Sequence, residues 1–331
     1  MSTQVPSPQK PLALVIGATG SIGGEVARAL LARGWRVRGL NRDPARAAKT
    51  GPEGIDWIRG DAMIEADVVA AAEGAAIIVH GANPPGYSNW ARLLPAMMAS
   101  TIAAARASGA RVVLPGNVYN YGPDAWPRFT ETSPQNPKTR KGAIRVAMER
   151  RLEAAATEGV RSLVVRAGDF FGPRSGSSWL TEGWVQKGKP LKAISLPGPA
   201  GVTHAWAYLP DFAESIVRLA EMEADLPALA VFNHGGHQLT AGEMADALDR
   251  VAGRKLTRKT LPWFAMAVAS PFVEMLREML EMRYLWDHEV LPDNAKLVAT
   301  LGEEPHTPLD QALRTALEGQ GCLETRLKAA A

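Results

Sequence analysis

The sequence predicts an α/β fold: a doubly wound parallel sheet with a smaller, mostly helical C-terminal lobe. Three observations predict it. Short apolar runs alternate with helix-length amphipathic segments through the first half of the chain, the rhythm of strand–helix–strand units. A glycine-rich turn follows the first apolar run and leads straight into the first helix. After Arg166 the rhythm gives way to Gly/Pro/Ser-rich loops and helical segments. At 331 residues, 46% of them hydrophobic and 21% charged, the chain is long enough for two such parts and has a soluble-globular composition.

Taken in order, strands are predicted at Leu12–Ile16, Arg36–Leu40, Ile55–Arg59, Ala76–His80, Arg111–Leu114 and Ser162–Arg166. Helices are predicted at Ile22–Arg33, Ala45–Lys49, Ile64–Ala72, Leu93–Ser108 and Gly142–Glu158. Each ends near a glycine suited to a left-handed cap: Gly34, Gly51, Gly74, Gly109 and Gly159. Beyond the loops GPRSGSS at 172–178 and LPGPAG at 196–201, a helix is predicted over Tyr208–Met222. A strand at Ala230–Asn233 then returns the chain to the sheet. Leu323–Ala331 reads as a frayed tail.

Charge and cysteine content exclude several classes. Lys plus Arg is 37 and Asp plus Glu is 34, a net +3, too weak a balance for a nucleic-acid or polybasic membrane binder. Any anionic partner is therefore bound locally. Cys322 is the only cysteine, so neither an internal disulfide nor a Cys-based zinc cluster can form, which fits a reducing compartment. The first eleven residues lack the apolar core of a signal peptide, and Leu261–Val273, broken by Pro262 and Pro271, falls short of the ~20 residues that cross a bilayer. A soluble, cytoplasmic protein is expected. No metal-binding motif occurs, and His234 and His237 merely flank a Gly-Gly turn, so no catalytic metal is expected. No Gly-x-Ser-x-Gly elbow supports hydrolase chemistry.

The most specific signal is GATGSIG at 17–23, placed after a strand and before a helix. Gly17 permits the tight turn, Gly20 lets the backbone approach a pyrophosphate, and Gly23 allows close helix–sheet packing. Thr19, Ser21 and Ile22 complete the turn, and the helix N-terminus offers free N–H groups. The Gly-x-x-Gly-x-x-Gly spacing resembles that of the short-chain dehydrogenases/reductases, in particular the extended and atypical NAD(P)-dependent epimerase/dehydratase-like groups. The resemblance implies a Rossmann-type sheet. It implies a discontinuous dinucleotide-binding domain over 11–171 and 207–234, with a substrate lobe over 172–206 and 235–322.

The second strand decides the dinucleotide. Asn41 stands in the slot where an acidic side chain would accept from a ribose 2′-OH, and Arg42 offers a planar fork to a 2′-phosphate, which favours NADP over NAD. The alternative is a one-residue shift, with Asp43 as ribose acceptor and Arg42 a solvated loop charge. The segment GDAMIEADVVAAAEGAAIIVHGANPP at 60–85 continues the resemblance. It implies adenine contacts at Asp61 and Ala62 and a cofactor border at Gly81 and Ala82. Without the resemblance, Asp61 reads as an N-cap for the helix near Ile64, and His80 reads as packed structure.

The family's chemistry rests on Tyr-x-x-x-Lys, whose spacing stacks a phenol beside an ammonium, and on a Ser one strand earlier. Aligned on family landmarks, Lys141 falls where the Tyr belongs, Arg145 where the Lys belongs and Asn117 where the Ser belongs. All three differ. Two like charges one turn apart leave two readings: a solvated helix face, or an anion site beside the cofactor. In the second, Arg145 takes the ribose-binding role and Lys141 points at substrate. Tyr119 and Tyr121 are the nearest phenols, and Tyr119 can present its hydroxyl from another direction. Lys141, Tyr119 and Asn117 are thus the candidate catalytic residues; each equally reads as a pocket-lining residue without a catalytic role.

Further landmarks are RAGDFFGP at 166–173, AYLPDFAESIV at 207–217 and Leu239-Thr240. Aromatic residues in Pro84–Trp90, and Trp179, Trp206 and Trp263, line a substrate pocket or belong to the core. The expectation is an NADP(H)-dependent oxidoreductase acting on a small carbonyl or alcohol through a non-standard site. The alternatives are a non-catalytic NADP-binding sensor and an epimerase or dehydratase of a nucleotide sugar. The partner expected is a small-molecule substrate, with no nucleic acid and no membrane. A homodimer would form through Leu93–Ser108 and Gly142–Glu158, as is common in the family.

Overall fold

The computed structural model describes residues 10–84, 89–176 and 178–323. Residues 85–88 of the Pro84–Trp90 segment, Ser177 of the loop at 172–178, and 324–331 of the expected tail lie outside the described residues.

The elements run β1 (Leu12–Ile16), α1 (Ser21–Ala32), β2 (Arg36–Asn41), α2 (Pro44–Thr50), β3 (Asp56–Arg59), α3 (Glu65–Ala71), β4 (Ile77–His80), α4 (Trp90–Ser108), β5 (Arg111–Asn117), β6 (Arg128–Phe129), α5 (Arg140–Ala156), β7 (Ser162–Ala167) and β8 (Asp169–Phe171). There follow β9 (Ala193–Leu196), β10 (Thr203–Tyr208), α6 (Leu209–Glu221), β11 (Leu229–Asn233), β12 (His237–Thr240), α7 (Ala241–Ala252), β13 (Thr257–Thr260), α8 (Trp263–Ala269), α9 (Glu274–Glu281), α10 (Tyr284–Asp287), β14 (Leu291–Pro292), α11 (Ala295–Leu301) and α12 (Leu309–Gly319).

Seven strands form one parallel sheet in the order β11-β7-β5-β4-β1-β2-β3. The chain winds outward from β1 to β3, then returns to lay β4 on the other side of β1. Leu14 is thereby opposite Arg38 on one neighbour and Ile78 on the other. Connections leave β1 and β4 on opposite sides, so a crevice opens beyond their C-terminal ends.

Every residue of β1 is buried. Alternation along an extended chain sends Leu12, Leu14 and Ile16 to one face, where they pack with Leu94, Met98 and Leu152 of α4 and α5. Ala13 and Val15 face the other way, against Val26 and Leu30 of α1 and Ile216 of α6. Helices on both faces are what an unbroken apolar strand requires.

One expectation needs correction. Gly34, Gly74, Gly109 and Gly159 are left-handed, but Gly51 is not: its φ is −87°. Glycine is required there for space, because a Cβ would sit 2.4 Å from the Trp57 ring. The C-terminal lobe is mostly helical, with short strands among its helices. It contains the sheet β12-β10-β8 and the pairs β13-β9 and β14-β6. These strands are short and pair across long sequence separations, so no local apolar run announces them. Their core is aromatic, with Trp184, Trp206 and Trp286 buried among Phe171, Leu248 and Leu313.

Candidate active site

The crevice at the end of β1 and β4 opens into a cleft of about 630 Å³. Its first wall is the turn after β1. Gly17 has φ +85°, and a Cβ there would lie 2.7 Å from Ala82 N and from the Gly81 carbonyl carbon and oxygen, so β1 and β4 leave the sheet backbone against backbone. At Gly23 a Cβ would sit 2.4 Å from Gly17 O, which brings α1 down onto the turn. Gly20 N donates to Gly17 O at 2.9 Å, and Gly20 caps α1 without a side-chain hydrogen bond. The opening N–H groups of α1 therefore receive no side-chain cap, and the cradle suits a diphosphate.

A loop from the C-terminal lobe is fastened over this turn. Ser21 Oγ accepts from Gly176 N at 2.7 Å. Arg174 grips Glu25 through Nε at 2.7 Å and Nη2 at 3.0 Å, and Glu25 is only 4% exposed.

At the far end of the cleft Arg42, Asp61, Ala62 and Met63 form the lining. Asp43 is engaged elsewhere: its Oδ1 accepts from Arg46 N at 3.1 Å and caps α2, and its own N–H donates to Asn41 Oδ1 at 2.9 Å. Asp61 is not the N-cap of α3, a position held by Ile64. It instead braces the turn before that helix, accepting from Met63 N at 2.9 Å and donating its N–H to Asp67 Oδ2 at 2.9 Å.

The near end brings together Asn117, Tyr119, Arg145, Gly168 and Asp169, with Trp90, Trp179 and Phe170 as walls. Asn117 Oδ1 accepts from Tyr119 N at 3.0 Å and fixes the turn after β5. Tyr119 Oη donates to Asp169 Oδ1 at 3.3 Å, and Asp169 Oδ2 lies 2.8 Å from His204 Nε2. His204 Nδ1 is 3.2 Å from the Leu285 carbonyl oxygen, and its ring stacks on Trp286 at 4.0 Å between centroids. Arg145 donates to Asn83 Oδ1 at 3.4 Å and lies 5.1 Å from the centre of the Trp90 ring. Behind it His80 bonds Thr101 Oγ1 at 2.8 Å; burial, then the Arg145 charge, pushes its imidazole down to about 3, so the ring is neutral.

Gly17, Thr19, Gly20, Ser21, Ile22, Arg42, Asp61, Ala62, Gly81, Ala82, Asn117, Tyr119 and Arg145 all line the cleft, whereas Gly23 lies behind its wall. Lys141 is not among the described lining residues, contrary to the expectation that it points at substrate. It is 3% exposed, and its ammonium is paired with Glu278 and, at 3.0 Å, with Glu281 of α9. Those carboxylates answer the positive charge that suggested an anion site. Tyr121 is core: it stacks on Phe129 at 3.7 Å, its Oη accepts from Arg166, and burial pushes its phenol up. Trp206 is also core and does not reach the cleft, and Trp263 stands behind Trp179 with 6.3 Å between ring centroids. Asp169 and His204 are additions to the candidate site. Asp169 lies within the landmark RAGDFFGP, but nothing around His204 marks it in the sequence.

The NAD dependent epimerase/dehydratase family model matches residues 13–235. The chain belongs to this family. It is 30% identical over 227 residues to the 3-diazoavenalumate denitrifying reductase of a Streptomyces species, covering 64% of this chain and 72% of that one. It is 33% identical over 188 residues to the uncharacterized protein y4nL of Sinorhizobium fredii, covering 50% of this chain and 52%, about half, of that protein. Solved structures share the fold. UDP-glucose 4-epimerase of Thermus thermophilus, in complex with NAD, has a TM-score of 0.68 at 22% identity and covers 94% of this chain and 100% of that one. UDP-glucose 4-epimerase of Bifidobacterium longum, with NAD+ and UDP, has a TM-score of 0.69 at 15% identity with the same coverage. Among the described residues of this family member, no helix is long and apolar enough to cross a membrane.

Proposed function

We propose that the protein is an NADP(H)-dependent oxidoreductase that reduces a small carbonyl compound, or oxidises the corresponding alcohol, with Tyr119 handling the proton. The observation that carries this reading is the phenol of Tyr119 in the cleft wall, on a turn fixed by Asn117. When bound, the dinucleotide supplies or accepts the hydride. The rest belongs to the chain. The turn at 17–23 holds the diphosphate through backbone N–H groups. Arg42 lines the adenine end while Asp43 is spent on capping α2, which supports a 2′-phosphate over a ribose hydroxyl at that place. Arg145, with the position of the family lysine and a charge that persists at any working pH, binds ribose hydroxyls. Asn117 orients the substrate oxygen, and Tyr119 Oη gives it a proton as the carbonyl becomes an alcohol. Trp90, Trp179, Phe170 and Leu209 keep water from that oxygen.

The relative named as a reductase supports the redox assignment. A nucleotide-sugar epimerase needs cations for a second diphosphate. Among the described lining residues the only cations are Arg42 and Arg145, both assigned to the dinucleotide. The test is Tyr119→Phe. With NADPH and a panel of aldehydes and ketones, kcat should fall by roughly 10²–10⁴, the usual contribution of a general acid, while the calorimetric Kd for NADPH stays within about twofold. Unchanged turnover would remove Tyr119 from the mechanism. Wild-type protein that binds NADPH but reduces none of the panel would favour a sensor.

A further inference from the structure

Tyr119 is one end of a buried chain of polar groups that runs away from the cleft: Tyr119 Oη, Asp169 Oδ1 and Oδ2, His204 Nε2 and Nδ1, then the Leu285 carbonyl. The donors and acceptors along it can be assigned. A carbonyl oxygen only accepts, so His204 Nδ1 carries a hydrogen. His204 Nε2 then faces a carboxylate oxygen at 2.8 Å, and two lone pairs do not sit at that distance. One more proton lies between them. An imidazole is the stronger base of the two, so the proton belongs on nitrogen and the pair is imidazolium and carboxylate, net neutral. Its surroundings favour neutrality. Asp169 and His204 are 6% and 7% exposed, with Trp286 stacked on one face of the imidazole and the Trp206 ring edge-on to it, 5.2 Å between centroids.

Among the described residues, few other titratable groups face the pair. Tyr119 comes from the turn after β5 and Tyr284 from α10; burial, then the charges of Asp169 and Glu281, pushes the Tyr284 phenol up. Glu289 accepts from Thr203 N, one residue before His204, at 3.2 Å. Neither Tyr284 nor Glu289 can replace the proton on Nε2 within this chain of bonds.

Building on the oxidoreductase reading of the same site, we propose that Asp169 and His204 are positioning residues that set the proton chemistry of Tyr119. Asp169 aims the phenol, and the His204 imidazolium cancels the carboxylate charge beside it. With the pair neutral, the phenol O–H turns from Asp169 Oδ1 to the substrate oxygen and releases its proton there as hydride arrives at the carbonyl carbon, and the resulting phenolate is reprotonated from solvent between turnovers. With an uncharged side chain in place of His204, a bare carboxylate stands 3.3 Å from the phenol oxygen and disfavours phenolate. Reduction then slows.

Two readouts test this. In protein with ¹⁵N-labelled histidine and no substrate, His204 should show hydrogen on both ring nitrogens at neutral pH, and Asp169→Asn should strip the hydrogen from Nε2. A wild-type ring protonated only on Nδ1 overturns the proposal. His204→Gln keeps an amide donor for Asp169 but carries no charge. It should lower kcat about tenfold or more, leave the NADPH Kd within about twofold and alter the pH profile of kcat. Wild-type kcat with an unchanged pH profile overturns the proposal. Should His204→Gln fail to fold, Asp169→Asn answers through the same pH profile and the histidine spectrum. If wild-type protein reduces no carbonyl, the oxidoreductase reading fails, while the histidine spectrum still judges the wiring of the pair.

Discussion

Replacing Lys141 by Met separates stability from chemistry. The Lys141 ammonium is 4% exposed and answers two carboxylates, Glu278 at 10% and Glu281 at 17% exposure. Removing one partner of a buried ion pair costs ~3–5 kcal/mol, because the remaining charge keeps its desolvation penalty. The lower end applies here, since Glu281 retains some access to water. For 331 residues at ~2.1 cal/mol/K each, the unfolding entropy is about 0.7 kcal/mol/K, so about 3 kcal/mol lowers Tm by roughly 4 °C. The pH dependence has a definite sign. Burial raises the Glu281 carboxyl, but the hydrogen bond and charge of Lys141 outweigh it and hold the group below its ordinary value. A depressed carboxyl stabilises the fold above its unfolded-state value, ~4.3, and that contribution is lost as pH falls through the folded value. The Tm gap between wild type and Lys141→Met should therefore be widest near neutrality and close only as pH falls below about 4. Scanning calorimetry across that range, with kcat on folded protein, is the measurement. A neutral-pH Tm drop of less than about 1 °C, or a kcat loss above tenfold in folded variant, would refute the reasoning and return Lys141 to the reacting atoms.

The remaining predictions concern the cofactor. Arg42→Ala should weaken NADPH about tenfold or more by calorimetry and NADH by less than about twofold, the loss of a charge-assisted hydrogen bond to phosphate; equal losses would rule out the 2′-phosphate role. Gly23→Ala puts a methyl 2.4 Å from Gly17 O, backbone against backbone, and should cost about 1–3 kcal/mol by denaturation and abolish NADPH binding. Arg174→Ala leaves the buried Glu25 carboxylate without its bidentate partner and loosens the loop over the phosphate turn; NADPH release in stopped flow should quicken several-fold. An unchanged release rate would show that this loop does not hold the cofactor.

The parallel sheet was legible because its inner strands β1, β4, β5 and β7 are buried along their whole length, and such runs stay largely apolar whatever the helices do. The phosphate turn was legible because its glycines answer steric demands a few residues apart, as Gly17 and Gly23 do. The lobe's strands were not, since β8 and β10 pair Trp206 with Asp169 across a long loop and neither has a pattern of its own. Lys141 shows the limit of alignment by helical register. Its position on α5 is where the motif puts it, but its partners sit on α9, and nothing near residue 141 announces Glu278 or Glu281. The Asp169–His204 pair was hidden for the same reason. Gly51 was misread because a steric need for hydrogen over Trp57 and a left-handed cap both select glycine.

The chain leaves the main sheet at Ala167 and rejoins it only at Leu229, where β11 docks alongside β7. No single cut can divide such a molecule into two independently viable pieces. A fragment ending before Leu229 would carry a raw flank, Ser162–Arg166, whose amides and carbonyls are tailored to a missing neighbour and would recruit any passing chain instead. Truncations and fusions at that seam should therefore yield inclusion bodies, and shorter versions for study must keep the excursion and its return together.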